Sequence, residues 1–171
     1  IQKRNKPFIK YLLDENAPLD DSLIFAVDTK DLEIVELILE RNCEPSYINK
    51  ITKYGTALFV AVKNNSLPII KRLLSLPGIN PNIYCQSNMT PLILAGSKLK
   101  IEAFDALLEF YGDKIKEQKD QLENIIKYII SYYPNGYASK NTKNEMILSN
   151  NGSHSELSTI LTKIIKLNCI D

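Results

Sequence analysis

Gly55-Thr-Ala-Leu-Phe-Val-Ala-Val62 and Asn88-Met-Thr-Pro-Leu-Ile-Leu-Ala-Gly96 align residue for residue: Thr56 on Thr90, Leu58 on Leu92 and Ala61 on Ala95, 34 residues apart. Eleven residues after each central leucine comes a second signature, Ile69-Ile70-Lys-Arg-Leu73-Leu74 and Ala103-Phe104-Asp-Ala-Leu107-Leu108. Self-similarity at a period of about 33 residues marks stacked repeats, each unable to bury its apolar face alone.

Working outward, the second signature is a general device. Two apolar residues, two mostly polar ones and two more apolar ones place i, i+1, i+4 and i+5 on one helical face. The pattern recurs at Phe8-Ile9…Leu12-Leu13, Ile34-Val35…Ile38-Leu39, Ile125-Ile126…Ile129-Ile130 and Ile160-Leu161…Ile164-Ile165. Near-constant spacing of such faces predicts paired helices in a row. The first helix of one pair runs from Leu23 to about Thr29, with Asp20-Asp21-Ser22 expected to cap it. The second starts at Asp31 or Leu32 and runs to Arg41. Ala26, Ala61 and Ala95 share one station, where small side chains allow close helix approach. Residues 43–54 and 77–88 are long connections with turn chemistry at Pro45, Asn49, Gly55, Pro77-Gly78, Asn80-Pro81 and Asn88.

These residues resemble the ankyrin family. The resemblance covers 20–112, with repeats near 20–53, 54–87 and 88–112. Residues 1–19 read as the second helix of a preceding half repeat. It implies an all-α solenoid of ankyrin-like helical repeats with hairpin or loop fingers. Asn65 and Asn88 stand where the family prefers Gly, and Asn is the next best residue at positive φ. The family's threonine-proline-leucine-histidine tetrapeptide survives only as Thr90-Pro91-Leu92-Ile93 and Thr56-Ala57-Leu58-Phe59. Its loop-tying His is replaced by Ile24, Phe59 and Ile93, so the stack is expected to be less regular and less stable than the consensus.

Beyond Gly112 the register breaks, and 113–171 reads as a divergent helical continuation and C-terminal cap. Residues 113–132 form one long helix or two abutting ones, stopped by Pro134-Asn135-Gly136. Residues 137–144 are loop-like, a short helix is expected around 144–150, and a last helix spans 155–167. Terminal repeats are commonly atypical because they close the core.

Composition bounds the function. The 171 residues carry a net charge of +1, from 21 basic and 20 acidic side chains, which gives no field for nucleic acid. No apolar run reaches the ~18 residues that span a bilayer, so no membrane insertion is expected. Cys43, Cys85 and Cys169 have no metal-ligand spacing and read as reduced thiols of an intracellular, cytoplasmic protein. The chain opens on Ile1 rather than Met and is read as a piece of something longer. His154 stands alone in a polar turn, glycines are sparse, and no phosphate loop or nucleophile–base spacing is present. No catalytic, cofactor or metal site is therefore expected, and the chain is read as a non-enzyme. Tyr128, Tyr132, Tyr133 and Tyr137 form an aromatic cluster at a helix end, read as packing or as an exposed contact patch.

What remains is a binding surface. In the resemblance, finger tips and the exposed ends of the first helices hold a partner protein or peptide. That assigns Asp28, Thr29, Thr52, Lys53, Gly55, Lys63, Asn64, Gln86, Ser87, Met89, Ser97 and Lys98, with Tyr47, Tyr54 and Tyr84 as amphipathic anchors. Lys53, Lys63 and Lys98 on one concave side would favour an acidic partner. The alternatives are a structural spacer or self-association segment of a larger protein, or the substrate-recruiting part of an enzyme whose catalytic domain lies elsewhere.

Overall fold

The computed structural model describes residues 21–132, 139–140, 146–147 and 154–167. The half repeat read at 1–19, the Pro134-Asn135-Gly136 stop, Tyr133, Tyr137 and Cys169 lie outside them. The chain divides into two compact units, separated in sequence between Pro91 and Leu92.

In the first unit, α1 (Ser22–Asp28) and α2 (Leu32–Arg41) form one helical pair, and α4 (Ala57–Lys63) and α5 (Leu67–Leu74) the next. Between the pairs lies a single turn, α3 (Pro45–Ile48), with Pro45 at its first position, where a missing N–H costs nothing. Helix α1 packs on α2 and α4 on α5, while α1 lies against α4 and α2 against α5, so first and second helices form separate layers. The apolar face read from the sequence is buried at Val27, Val35, Leu58, Val62, Ile69, Ile70 and Leu73, and Ile48 of α3 joins them in the core. Ala61 is 0% exposed.

Each helix pair is joined by the same backbone turn. Lys30, Asn65 and Leu99 occupy one station, at φ of 59°, 52° and 54°. Their amides bond back to the carbonyls of Val27, Val62 and Gly96 at 3.0, 3.0 and 3.2 Å. Ser66 and Lys100 then reach Ala61 and Ala95 at 3.1 and 2.9 Å, completing a left-handed helix C-terminus. In the first copy Thr29 supplies a side-chain version: its hydroxyl donates to the Ala26 carbonyl at 2.6 Å and accepts from the Asp31 amide at 3.3 Å.

Helix starts differ from the sequence expectation at one place. Asp21 sits at the N-terminal boundary of α1, but its carboxylate makes no cap hydrogen bond there. It pairs instead with Lys50 Nζ at 2.9 Å, a side chain from the connection that follows α3. The Thr56 hydroxyl does cap α4, accepting from the Phe59 amide at 3.2 Å, and the Asp31 carboxylate caps α2 through the Glu33 amide at 3.1 Å.

The fingers are minimal. The first ends in an isolated antiparallel bridge between Thr52 and Gly55, with reciprocal backbone bonds of 3.1 and 2.9 Å. The second carries a 3-10 turn, Gln86–Asn88, in which Ser87 and Asn88 both stand at φ 55°. Asn49 joins the two connections by mimicking a backbone. Its Nδ2 donates to the Gly78 carbonyl at 2.8 Å, and its Oδ1 accepts from the Asn80 amide at 2.8 Å.

The second unit holds α6 (Pro91–Ser97), which begins at the boundary, α7 (Ile101–Tyr111), a 3-10 segment Gly112–Gln118 and α8 (Lys119–Tyr132). It ends in α9 (His154–Lys166). Residues 113–132 thus resolve into two abutting helical pieces. Ala95 is fully buried, and a Cβ placed on Gly96 would lie 2.7 Å from the Ile125 side chain, so Ile125 of α8 packs directly on the α6 backbone there. Leu92, Phe104, Leu107, Leu122, Ile125, Ile160 and Ile164 fill the core. In this unit, four positions counted on the buried face by periodicity are not buried: Leu108 and Ile126 are half-buried, and Ile130 and Ile165 are 59% and 60% exposed. The short helix expected around 144–150 is corrected at its described residues. Met146–Ile147 pairs antiparallel with Ser139–Lys140, two-residue segments labelled β2 and β1.

Candidate functional site: an aromatic cleft between the first helices

The site begins with helix geometry. On α1, Leu23, Ile24, Ala26 and Val27 are buried, which leaves Phe25 and Asp28 outside, one turn apart on one edge. On α4 every residue from Ala57 to Val62 is buried, and Lys63 alone is exposed. Val60 and Lys63 occupy the stations that Phe25 and Asp28 hold on α1. Because α1 and α4 lie side by side, these two edges run together.

The finger tip closes the third side. The Thr52 hydroxyl accepts from the Tyr54 amide at 3.1 Å and donates to the Gly55 carbonyl at 3.1 Å, so the tip is held by side chain as well as backbone. Tyr54 then meets Phe25 edge to face, centroids 6.3 Å apart and planes at 69°. Lys53 Nζ lies 5.0 Å from the centre of the Tyr54 ring, within cation–π range. The Gln86 side-chain amide donates to the Lys53 carbonyl and so links this tip to the next connection.

These elements enclose a cleft of about 240 Å³ lined by Ile24, Phe25, Asp28, Tyr54, Val60 and Lys63. Ile24 and Val60 are buried and form its floor, while Phe25 and Tyr54, 58% and 41% exposed, form its walls. At the rim, Asp28 Oδ1 accepts from Asn64 Nδ2 at 3.1 Å. Among the described residues the Lys63 ammonium makes no hydrogen bond or ion pair. An aromatic slot with one engaged carboxylate and one unengaged ammonium is suited to holding a side chain of another molecule. Among the described residues no group of three or more His, Cys, Asp or Glu is placed to hold a metal.

The family model described as Ankyrin repeats (3 copies) matches residues 23–120, more than half of the sequence. The chain belongs to the ankyrin-repeat family. Such repeats are in general protein–protein interaction modules, and the family is typically non-catalytic. A curated relative, the NAD-dependent deacetylase sir2B of Dictyostelium discoideum, is 33% identical over 95 residues. The shared part is 55% of this chain and 12% of that protein, too little to carry its chemistry across. No solved structure matches.

In ankyrin terms, the structure brings Asp28, Lys53, Tyr54, Lys63 and Asn64 together around the cleft, with Gln86 joined to them through Lys53. Other assigned residues are occupied within the fold. Thr29 completes the turn after α1, and Thr52 and Gly55 build the finger tip. The Tyr47 hydroxyl lies 2.8 Å from Ser22 Oγ. Burial raises its pKa above the usual tyrosine range, against a smaller lowering by that hydrogen bond, so Tyr47 ties α3 to the start of α1. Tyr84 and Ser87 are exposed on the second connection, and the Met89 carbonyl accepts from the Cys85 amide at 2.8 Å. Ser97 is corrected: it is 3% exposed, its hydroxyl donates to the Leu94 carbonyl at 3.4 Å, and it presents nothing to a partner. Lys98 belongs to the second unit, where its ammonium lies 4.8 Å from the Tyr128 ring centre and donates to the Tyr128 hydroxyl.

The sequence reading missed Phe25, Ile24 and Val60 as a site. A signal was present in Phe25, a large aromatic standing off the Leu23, Ala26, Val27 stripe that the helix buries.

Proposed function

We propose that this chain is a protein-binding ankyrin module that holds an acidic or mixed-charge segment on the face made by α1, α4 and the first finger tip. The observation that supports this most is the exposed Phe25–Tyr54 pair, flanked by Lys53 and Lys63, over an apolar floor. Exposed aromatics at the centre of a patch are typical anchors of binding energy. Lysines at the edge steer encounter more than they tighten the final complex.

The test compares partner capture by the parent, by a Lys53→Glu/Lys63→Glu double variant and by Lys71→Glu. Lys71 is exposed on α5, a helix that lines no part of the cleft. Capture should fall for the double variant and persist for Lys71→Glu. Equal capture by all three overturns the reading.

A further inference from the structure

We infer that the cleft receives a single large apolar side chain, preferably an aromatic ring, with a carboxylate beside it on the partner segment; this rests on the protein-binding reading above. Volume comes first. The cleft holds about 240 Å³, below the ~300–1,000 Å³ of sites that enclose small molecules. It matches one side chain rather than a free ligand.

Surface chemistry comes next. Its floor and walls are Ile24, Val60, Phe25 and Tyr54, and the two rings are large apolar side chains left exposed to water. An inserted apolar group removes that surface from water, which is the main gain available here. Phe25 and Tyr54 already stand edge to face, and a third ring extends that arrangement with the favoured edge-to-face geometry.

Charge decides what flanks the ring. Asp28 accepts from the neutral Asn64 amide and keeps its charge, whereas Lys63 makes no hydrogen bond or ion pair among the described residues. Lys53 adds a second positive charge over Tyr54. A cationic occupant would find the tyrosine face already covered by Lys53 and would approach Lys63 like charge to like charge. A carboxylate one or two residues from the anchor instead meets Lys63 at the rim.

The probes are three short peptides titrated into the whole isotope-labelled chain. One has a central phenylalanine between glutamates, one has alanine in its place, and one has phenylalanine between lysines. The phenylalanine–glutamate peptide should move the backbone amide signals of Phe25, Tyr54, Val60 and Lys63. It should bind about tenfold more tightly than the alanine peptide, as loss of a moderate anchor implies, and more tightly than the lysine-flanked one. Phe25→Ser should abolish the preference for phenylalanine, and Lys63→Glu or Lys63→Ala the preference for glutamate. Phe25 is mostly exposed, so folding of its variant is expected, and circular dichroism verifies it. If the phenylalanine and alanine peptides act alike at these four residues, the anchor is refuted while the binding face stands. If the lysine-flanked peptide wins, the charge assignment is refuted. If the signals that move lie elsewhere, the face itself falls too, and no movement up to about 1 mM peptide overturns the inference.

Discussion

A Cβ on Gly55 would lie 2.8 Å from Cδ1 of Phe59, and the backbone there stands at φ 103°. Phe59 occupies the place of the family's loop-tying histidine, and here it supports the finger by packing beneath the turn. Gly55→Ala should therefore both strain the backbone and push on the ring, costing on the order of 1–3 kcal/mol. Urea denaturation measures the loss, and an unchanged midpoint would show that the tip tolerates a side chain. Because Tyr54 is the adjoining residue, the substitution should also weaken any binding at the cleft.

Asn49 offers a second way in which the connections are tied. Its two bonds of 2.8 Å, to the Gly78 carbonyl and the Asn80 amide, span from one finger to the next. Asn49→Ala removes both and should cost about 1–3 kcal/mol, since each net hydrogen bond is worth ~0.5–1.5 kcal/mol. Asn49→Asp keeps the acceptor and loses the donor, so its midpoint should fall between parent and alanine. The same midpoint for all three chains would remove Asn49 from the account of how neighbouring fingers cohere.

Lys30, at φ 59°, repeats a station that Asn65 fills with a residue suited to it. A left-handed residue with a Cβ is strained by roughly 1–2 kcal/mol, partly offset by the extra freedom glycine gains when unfolded. Lys30→Gly should raise stability by about 0.5 kcal/mol, and Asn65→Gly should change it less. A loss of stability in Lys30→Gly would mean that the lysine stem contributes packing that its exposure does not reveal.

What could be read from the sequence follows from what periodicity reports. It tells which face of a helix is buried, and so it located the helix pairs, their boundaries and the burial of Ala61 and Ala95. The positive φ at Lys30 and Leu99 was hidden, because neither residue type favours it and the helix turn imposes it. Asp21 had the composition of a cap, yet Lys50 competes for its carboxylate once the chain folds back. Of the residues that line the cleft, Asp28, Tyr54 and Lys63 stand at finger and helix-end positions of the family. Their meeting with Phe25 depends on how one helical pair stacks on the next, a relation between stretches that no local pattern encodes. Ile130 and Ile165 show the complementary failure, where periodicity persists after the partner surface has run out.

Tyr111 links burial to pH. Its pKa is raised by desolvation in the interior, against a smaller lowering by the Gln121 hydrogen bond. Gln121 is itself buried and donates to Gln118 Oε1 at 2.6 Å. An unfolded tyrosine ionises near pH ~10. A raised folded-state pKa therefore contributes stability that is whole below that pH and is lost as pH rises through the folded value. Tyr111→Phe should start lower by about 1 kcal/mol for the lost hydrogen bond. It should then fall less steeply than the parent in urea midpoints taken from pH ~8 to ~11. Lysines deprotonate in both chains and cancel in the comparison. Parallel curves would show that Tyr111 ionises as freely folded as unfolded.

The charges at the rim make the last prediction. Lys53 and Lys63 are exposed, and the Lys53 ammonium already lies over Tyr54. Exposed charges outside the buried centre of an interface act mainly on association, through a field that salt screens over ~8–10 Å. Reversing both lysines to Glu should lower the association rate of an acidic partner and weaken its dependence on salt. The dissociation rate should change little. Phe25→Ser should do the opposite, speeding dissociation while leaving the salt slope unchanged, because the apolar contact contributes after encounter. Stopped-flow or surface-based kinetics across a salt series separates the two. If the lysine variant matches the parent in rate and slope, the partner approaches another face. If Phe25→Ser alters the salt slope and not dissociation, the cleft is not where the bound side chain rests.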